Sequence, residues 1–277
     1  MAQQLLMTWW EALILGLVQG LTEFLPVSSS AHLVLGEYVL GLNAAGTGSL
    51  TFEVFVHFGT ILSIFTVYNL RVKELVTETL AASIHPGEWA ARFRERPPFR
   101  TAVYILITMI PTGITYVLFK DFFERAFDDP ELAAGMLLVT GVLLLLTLLR
   151  PNPSGELTGG KALLVGVAQS FAMIPGISRS GATICTALYQ NVNPERAANF
   201  SFLMLLPVVL GATLIKTIEL AQQGLGEAWL PLAVGTCAAY GAGILAIKVV
   251  IDFVKRGRLQ YFAAYCFLVG GLGLWLL

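Results

Sequence analysis

The run Ala12-Leu13-Ile14-Leu15-Gly16-Leu17-Val18-Gln19 recurs later in the chain as Ala162-Leu163-Leu164-Val165-Gly166-Val167-Ala168-Gln169. Each copy runs into a serine cluster: Pro26-Val27-Ser28-Ser29-Ser30-Ala31-His32 after the first and Pro175-Gly176-Ile177-Ser178-Arg179-Ser180-Gly181 after the second. Both apolar segments are therefore broken at Pro or Gly just ahead of polar residues. A chain that repeats an interrupted apolar segment is constrained to pair two broken helices, the arrangement that builds a site inside a bilayer. Composition supports this, because 56% hydrophobic and 13% charged residues with a mean hydropathy of +0.74 exclude an ordinary soluble domain. The 17 basic and 18 acidic residues sum to a net charge of -1, which argues against nucleic acid as a partner and requires any anion site to be local. Cys185, Cys237 and Cys266 lie in apolar segments without CxxC spacing and read as small core residues. No basic stretch precedes a short apolar run at the N-terminus, so no removable signal peptide is expected.

Segments of about 20 apolar residues, the length that crosses a bilayer, are Phe52 to Leu70, Thr101 to Phe119, Leu132 to Leu149, Phe200 to Ala221, Trp229 to Ile251 and Leu259 to Leu277. The repeat segments, Leu5 to Leu40 and Lys161 to Asn191, are split in the middle, and each half is too short to cross. Basic residues crowd Arg71 to Arg100 and the turn holding Lys255, Arg256 and Arg258, which places both on the cytoplasmic side. The acidic stretch Lys120 to Pro130 and the segment Gln222 to Ala228 suit the outer side. Counting crossings puts Arg150 to Lys161 and Pro194 to Arg196 inside, so the second repeat enters and leaves from the cytoplasm; the chain reaches Phe52 from outside, and if Met1 is also outside the first repeat enters and leaves from the outer face. The predicted fold is an all-α polytopic membrane protein with six transmembrane helices plus two re-entrant helical hairpins as inverted-topology repeats. Residues 1–150 and 151–277 form the halves of one membrane domain, with the hairpin tips Leu25 to His32 and Pro175 to Thr183 meeting near mid-bilayer. Non-helical backbone at that depth must be buried in protein or line a wet cavity, so a polar chamber is expected there.

Arg179 at mid-membrane depth costs roughly 2.5 to 3.5 kcal/mol and needs a partner, an anion or a carboxylate. Ser178, Ser180 and Thr183 offer hydroxyls around it, and Gly176 and Gly181 let the backbone turn, so that Gly-Ile-Ser-Arg-Ser-Gly reads as an oxyanion cradle. The structural alternative is a contact of small residues with Arg179 paired to Glu23. At the other tip Gln19 and Glu23 share one helix face at i, i+4, and Ser29 and His32 at i, i+3 suit a nucleophile beside its base. Glu23 with Gln19 could hold a divalent cation against phosphate oxygens. Glu53 and His57, again at i, i+4, read equally well as a structural pair, His85 carries no signal, and Lys216, Glu219 and Lys248 read as snorkelling or paired charges.

Gln19-Gly20-Leu21-Thr22-Glu23 and Pro26-Val27-Ser28-Ser29-Ser30-Ala31-His32 resemble the (E/Q)xxxE and PVSS...H signatures, and Pro175-Gly176-Ile177-Ser178-Arg179-Ser180-Gly181-Ala182-Thr183 the PGxSRSxxT signature, of the bacterial undecaprenyl-diphosphate phosphatase family, the bacitracin-resistance type. Thr51 to Val54, Glu195 to Phe202 and the overall length extend the resemblance over nearly the whole chain. It implies hydrolysis of undecaprenyl diphosphate to undecaprenyl phosphate and inorganic phosphate, recycling the lipid carrier of cell-wall synthesis, with a divalent cation, Mg2+ or Ca2+. By motif position it implies Ser29 as nucleophile, His32 as its base or acid, and Glu23 and Gln19 on the metal or substrate side. Arg179 with Ser28, Gly176, Ser178, Ser180 and Thr183 would bind the substrate. Gln19 stands where the motif also allows Glu, which leaves Glu23 as the stronger ligand. Implied partners are a polyprenyl diphosphate lipid and membrane lipids, with a homodimer allowed, in the bacterial inner membrane with a site reached from the outer side. The rival reading is an inverted-repeat transporter or flippase for a phosphorylated lipid or anion. The Ser29, His32 and Glu23 set, which a carrier would not need, favours the enzyme.

Overall fold

The structure, a computed structural model, describes residues 7–40, 47–149, 152–223 and 229–277. Its helices are α1 (Trp9–Phe24), α2 (Ser29–Leu40), α3 (Thr47–Val67), α4 (Asn69–Ile84), α5 (Trp89–Glu95), α6 (Pro97–Phe127), α7 (Pro130–Leu146), α8 (Gly159–Phe171), α9 (Arg179–Tyr189), α10 (Pro194–Leu203), α11 (Leu205–Gln223), α12 (Trp229–Lys255) and α13 (Gln260–Leu276). Among the described residues there is no strand, only an isolated bridge between Gly155 and Val192. Among the described residues four helical stretches are long and apolar enough to cross a membrane: Pro97–Phe127, Pro130–Leu149, Pro194–Ile215 and Trp229–Lys255. The chain is thus an all-helical, multi-pass membrane protein.

The remaining predicted spans take other forms. Phe52 to Leu70 falls on α3, and beyond Tyr68 the chain turns by 94° into α4. Leu259 to Leu277 is the 17-residue α13, about 25 Å long at 1.5 Å per residue and slightly short of a 30 Å core. Within the predicted span Phe200 to Ala221 the helix is interrupted at Met204. The physical reason is Pro207, which has no N–H for the Leu203 carbonyl and whose ring crowds it. Arg71 to Arg100 is largely helical, as α4 and α5, and α6 runs on through the acidic stretch to Phe127 with a break at Phe119. Arg150, residues 224–228 and the side chains of Lys216 and Glu219 lie outside the described residues, and Lys248 is exposed.

Both predicted hairpins break where the sequence breaks. Leu25, forced to extended backbone by the following proline, ends α1. Ser28 has φ 65 before α2 begins. In the second hairpin Gly176 has φ 97, and a Cβ there would lie 2.3 Å from the Ala133 carbonyl oxygen, so only glycine fits. The following N-cap, Ser178, accepts from the Gly181 N–H at 3.0 Å, and at the matching place Ser28 accepts from Ala31 at 3.4 Å.

The sequence repeat is also a packing repeat. Ala12, Leu15, Gly16 and Gln19 are buried, as are Ala162, Val165, Gly166 and Gln169, while Leu13, Ile14, Leu17 and Leu21 face outward like Leu163, Leu164, Val167 and Phe171. The buried glycines set close helix crossings. A Cβ on Gly16 would sit 2.4 Å from the Gly235 oxygen of α12, and one on Gly166 would sit 2.7 Å from the Thr108 backbone of α6. Small residues matter here because helices in lipid associate by close packing rather than by expelling water. The most extensive helix contacts, α1 and α3 with α12, α7 with α13 and α6 with α8, all join residues 1–150 to residues 151–277. Phe24, fully buried, meets Phe202 edge-on at 5.3 Å and helps fix the end of α1 against α10.

Candidate active site

Glu23 is the hub of the site. It closes α1 at the point where proline turns the chain, with 5% of its side chain exposed. Its Oε1 accepts from Arg179 Nη2 at 2.6 Å, a partner 156 positions away at the start of α9. Its Oε2 accepts from Ser29 Oγ at 2.7 Å and from Gln19 Nε2 at 2.8 Å. The i, i+4 spacing of Gln19 and Glu23 gives one hydrogen bond, and the opposed tips give the ion pair. Arg179 also donates through Nη1 to the Ser201 carbonyl at 2.9 Å. That leaves part of its five-donor fork open to a ligand. Ser29, His32 and Arg179 are half-buried, so all three keep some exposure.

Several predicted site residues take other places. Ser29 bonds to Glu23, and no hydrogen bond joins it to His32. The His32 ring is held at both nitrogens: Nδ1 donates to the Ser28 carbonyl at 2.7 Å, and Nε2 faces the Tyr265 hydroxyl at 2.9 Å. Because a carbonyl can only accept, Nδ1 carries the ring proton, and in the neutral ring Nε2 accepts from Tyr265. Ser178, Ser180 and Thr183 are 1% exposed. Ser180 Oγ donates to the Leu25 carbonyl at 3.0 Å, tying one tip to the other, and Thr183 Oγ1 donates to the Arg179 carbonyl at 2.7 Å and touches Ser201 Oγ at 2.7 Å. Ser178 is the α9 cap, with its N–H bonded to Thr140 Oγ1, which in turn donates to the Gly176 carbonyl. Ser28 is likewise buried, its Oγ 3.1 Å from Ser30 Oγ. These hydroxyls brace the two tips, while Arg179 and Ser29 point into reach of a ligand.

Some participants carried no signal of their own in sequence. Tyr265 lies in an apolar helix, Thr140 is one threonine in a leucine-rich run, and Ser201 sits between two phenylalanines. Three-dimensional packing alone brings them to the tips. His57 had a visible spacing to Glu53, but its Nδ1 bonds the Glu53 backbone carbonyl at 2.7 Å and its Nε2 lies 3.4 Å from Glu23 Oε2.

A divalent cation suits this donor set. Hard cations take oxygen ligands and commonly use only one or two protein carboxylates, the rest coming from substrate phosphates and water. Glu23 supplies a carboxylate. Gln19, 0% exposed, supplies an amide oxygen, Oε1, that is buried without a hydrogen-bond partner. Among the described residues no three His, Cys, Asp or Glu side chains gather where they could hold a metal by themselves. The three cysteines are free, Cys185 and Cys266 buried and Cys237 exposed.

Comparison with known proteins covers nearly the whole chain. The family described as bacitracin resistance protein BacA matches residues 12–272. The chain is 65% identical over 271 residues to an undecaprenyl-diphosphatase of Salinibacter ruber, covering 98% of this chain and 100% of that protein. It is 40% identical to an undecaprenyl-diphosphatase of Halothermothrix orenii, over 94% of this chain and 95% of the relative. A third relative of the same description, from Bacteroides thetaiotaomicron, is 38% identical over 95% of this chain and 97% of its own length.

Proposed function

The chain belongs to the bacitracin resistance protein BacA family, and from that premise we propose that it is a membrane phosphatase converting undecaprenyl diphosphate to undecaprenyl phosphate and orthophosphate. This activity recycles the lipid carrier of cell-wall synthesis and opposes bacitracin. The observation that carries the reading is the single carboxylate, Glu23, set between a serine hydroxyl at 2.7 Å and a guanidinium at 2.6 Å. A hydroxyl donating to a buried carboxylate is an activated nucleophile, and an arginine beside it stabilises charge on a transferred phosphoryl group.

In the proposed reaction Arg179 binds non-bridging oxygens of the terminal phosphate. Ser29 Oγ attacks that phosphorus and its proton passes to Glu23 Oε2. The bond from phosphorus to the bridging oxygen breaks, and undecaprenyl phosphate leaves. Water then attacks the phosphoserine, giving a proton to Glu23 as Glu23 returns one to Ser29 Oγ; orthophosphate departs, and Glu23 releases the remaining proton to bulk water. Arg179 is fixed before substrate arrives by Glu23 and the Ser201 carbonyl, so little reorganisation accompanies charge development. Gln19 and Glu23 would hold the Mg2+ or Ca2+ ion, which supplies further positive charge to the phosphate oxygens.

We further read residues 1–150 and 151–277 as inverted halves with two re-entrant hairpins and six crossings, in the bacterial inner membrane, with the site open to the outer side. The matched inward and outward faces of α1 and α8 support this reading. The lipid's tail would remain in hydrocarbon while its diphosphate reaches the polar tips, and a homodimer is compatible with the apolar outer surface. The test is release of orthophosphate from a polyprenyl diphosphate by purified protein, with and without chelator. No release under either condition would refute the assignment.

A further inference from the structure

We infer that His57 is a third protein ligand of the divalent cation, completing with Glu23 and Gln19 a site of one nitrogen and two oxygens. The inference rests on the cation reading given above. Its first support is the ring's hydrogen bonding. Nδ1 lies 2.7 Å from the Glu53 backbone carbonyl, which can only accept, so Nδ1 carries a proton and the ring in its neutral form presents a lone pair at Nε2. A histidine that donates one N–H to a backbone carbonyl and turns its other nitrogen into a polar site has the tautomer and anchoring of a metal ligand.

The second support is what Nε2 faces. It stands 3.4 Å from Glu23 Oε2, longer than a good N–H···O bond. At that distance the ring and the carboxylate pair through a proton when the imidazole is charged, and a cation between them would take that proton's place. As neighbouring ligands of one ion with bonds of about 2.1 Å, they would be about 3.0 Å apart at a right angle and about 3.4 Å at a tetrahedral angle. The third support is the orphaned acceptor. Gln19 Oε1 is fully buried with no partner, while its Nε2 donates to the same Glu23 Oε2 at 2.8 Å. A half-turn of the amide brings Oε1 to that position and leaves three acceptors, from α1 and α3, around one point beside Ser29 Oγ. An imidazole in the set shifts preference from Mg2+ and Ca2+ toward Mn2+ and the later divalent metals.

The experiment titrates Mn2+ into full-length protein purified in detergent without a histidine tag and records pulsed electron paramagnetic resonance. The chain has 3 histidines, so a directly bound ring nitrogen can be assigned by substitution. We expect one bound Mn2+ with a 14N coupling that disappears in His57→Gln and persists in His32→Gln and His85→Gln. His57→Leu should bind Mn2+ at least about tenfold more weakly, with unchanged thermal unfolding in the metal-free state. Bound Mn2+ without nitrogen coupling, or with coupling that survives His57→Gln, overturns the role of His57 and leaves the cation on Glu23 and Gln19. Absence of Mn2+ binding overturns both this inference and the cation reading, while the phosphatase reading still stands on phosphate release.

Discussion

At the scale of single residues, Glu23 carries two loads besides the proposed cation. As acceptor for Ser29 it belongs to the chemistry, and as partner of Arg179 it compensates a charge held between the tips. Ser29→Ala and Glu23→Gln should each lower turnover by at least about 10³-fold, and the double variant should be little worse, because groups acting as a unit do not add. Steady-state phosphate release measures this, and mass spectrometry of rapidly quenched enzyme should find a phosphoryl group on Ser29. Full additivity of the two substitutions would show that they act separately. Arg179→Ala takes the guanidinium partner from the Glu23 carboxylate in a site where its side chain is 5% exposed. Such a loss costs about 3 to 5 kcal/mol of stability as well as activity. The double variant Arg179→Met with Glu23→Leu removes both charges and should recover most of the thermal stability in detergent with no recovery of turnover. Arg179→Lys should also remain impaired, since an ammonium cannot reproduce two directed N–H groups on phosphate oxygens.

At the scale of helices, the repeat is built on glycines that let backbones touch. A Cβ on Gly16 or Gly20 would lie 2.4 Å from backbone oxygens of α12, and one on Gly166 would lie 2.7 Å from the backbone of α6. None of these neighbours is a flexible side chain that could move aside. Gly16→Ala, Gly20→Ala and Gly166→Ala should therefore each lower stability by about 1 to 3 kcal/mol. Gly113→Ala and Gly241→Ala, where nothing lies within 4 Å, should leave it unchanged or raise it. Thermal unfolding in one detergent separates the two groups, and equal effects in both would remove the case for close helix contact at α1 and α8. The breaks are also legible element by element. Leu25 stops α1 because Pro26 follows it, and Gly176 turns at φ 97 where no side chain fits. Hydrophobicity alone did not reveal the interruption at Met204, since Pro207 lies inside an otherwise continuous apolar run.

At the scale of the molecule, the charge pattern makes a topological prediction. In a variant with the exposed Cys237 replaced, a cysteine at Arg94 should react with a membrane-impermeant reagent only from the cytoplasmic side, and one at Asp128 only from outside. The reverse labelling would invert the orientation and move substrate access to the other leaflet. The sequence by itself determined the class, the two interrupted segments and the residues at their tips, because hydropathy, proline and glycine act locally and are written in order along the chain. It also contained both partners of the central ion pair, Glu23 and Arg179, though not the choice between a carboxylate and a phosphate for the arginine. Tertiary structure decided which groups meet. Ser29 turns to Glu23 while His32 pairs with Tyr265, the hydroxyls of Ser180 and Thr183 are consumed in joining the tips, and His57 arrives from α3 to face the same carboxylate. Contacts between residues from different helices depend on crossing geometry, which no spacing along one helix encodes.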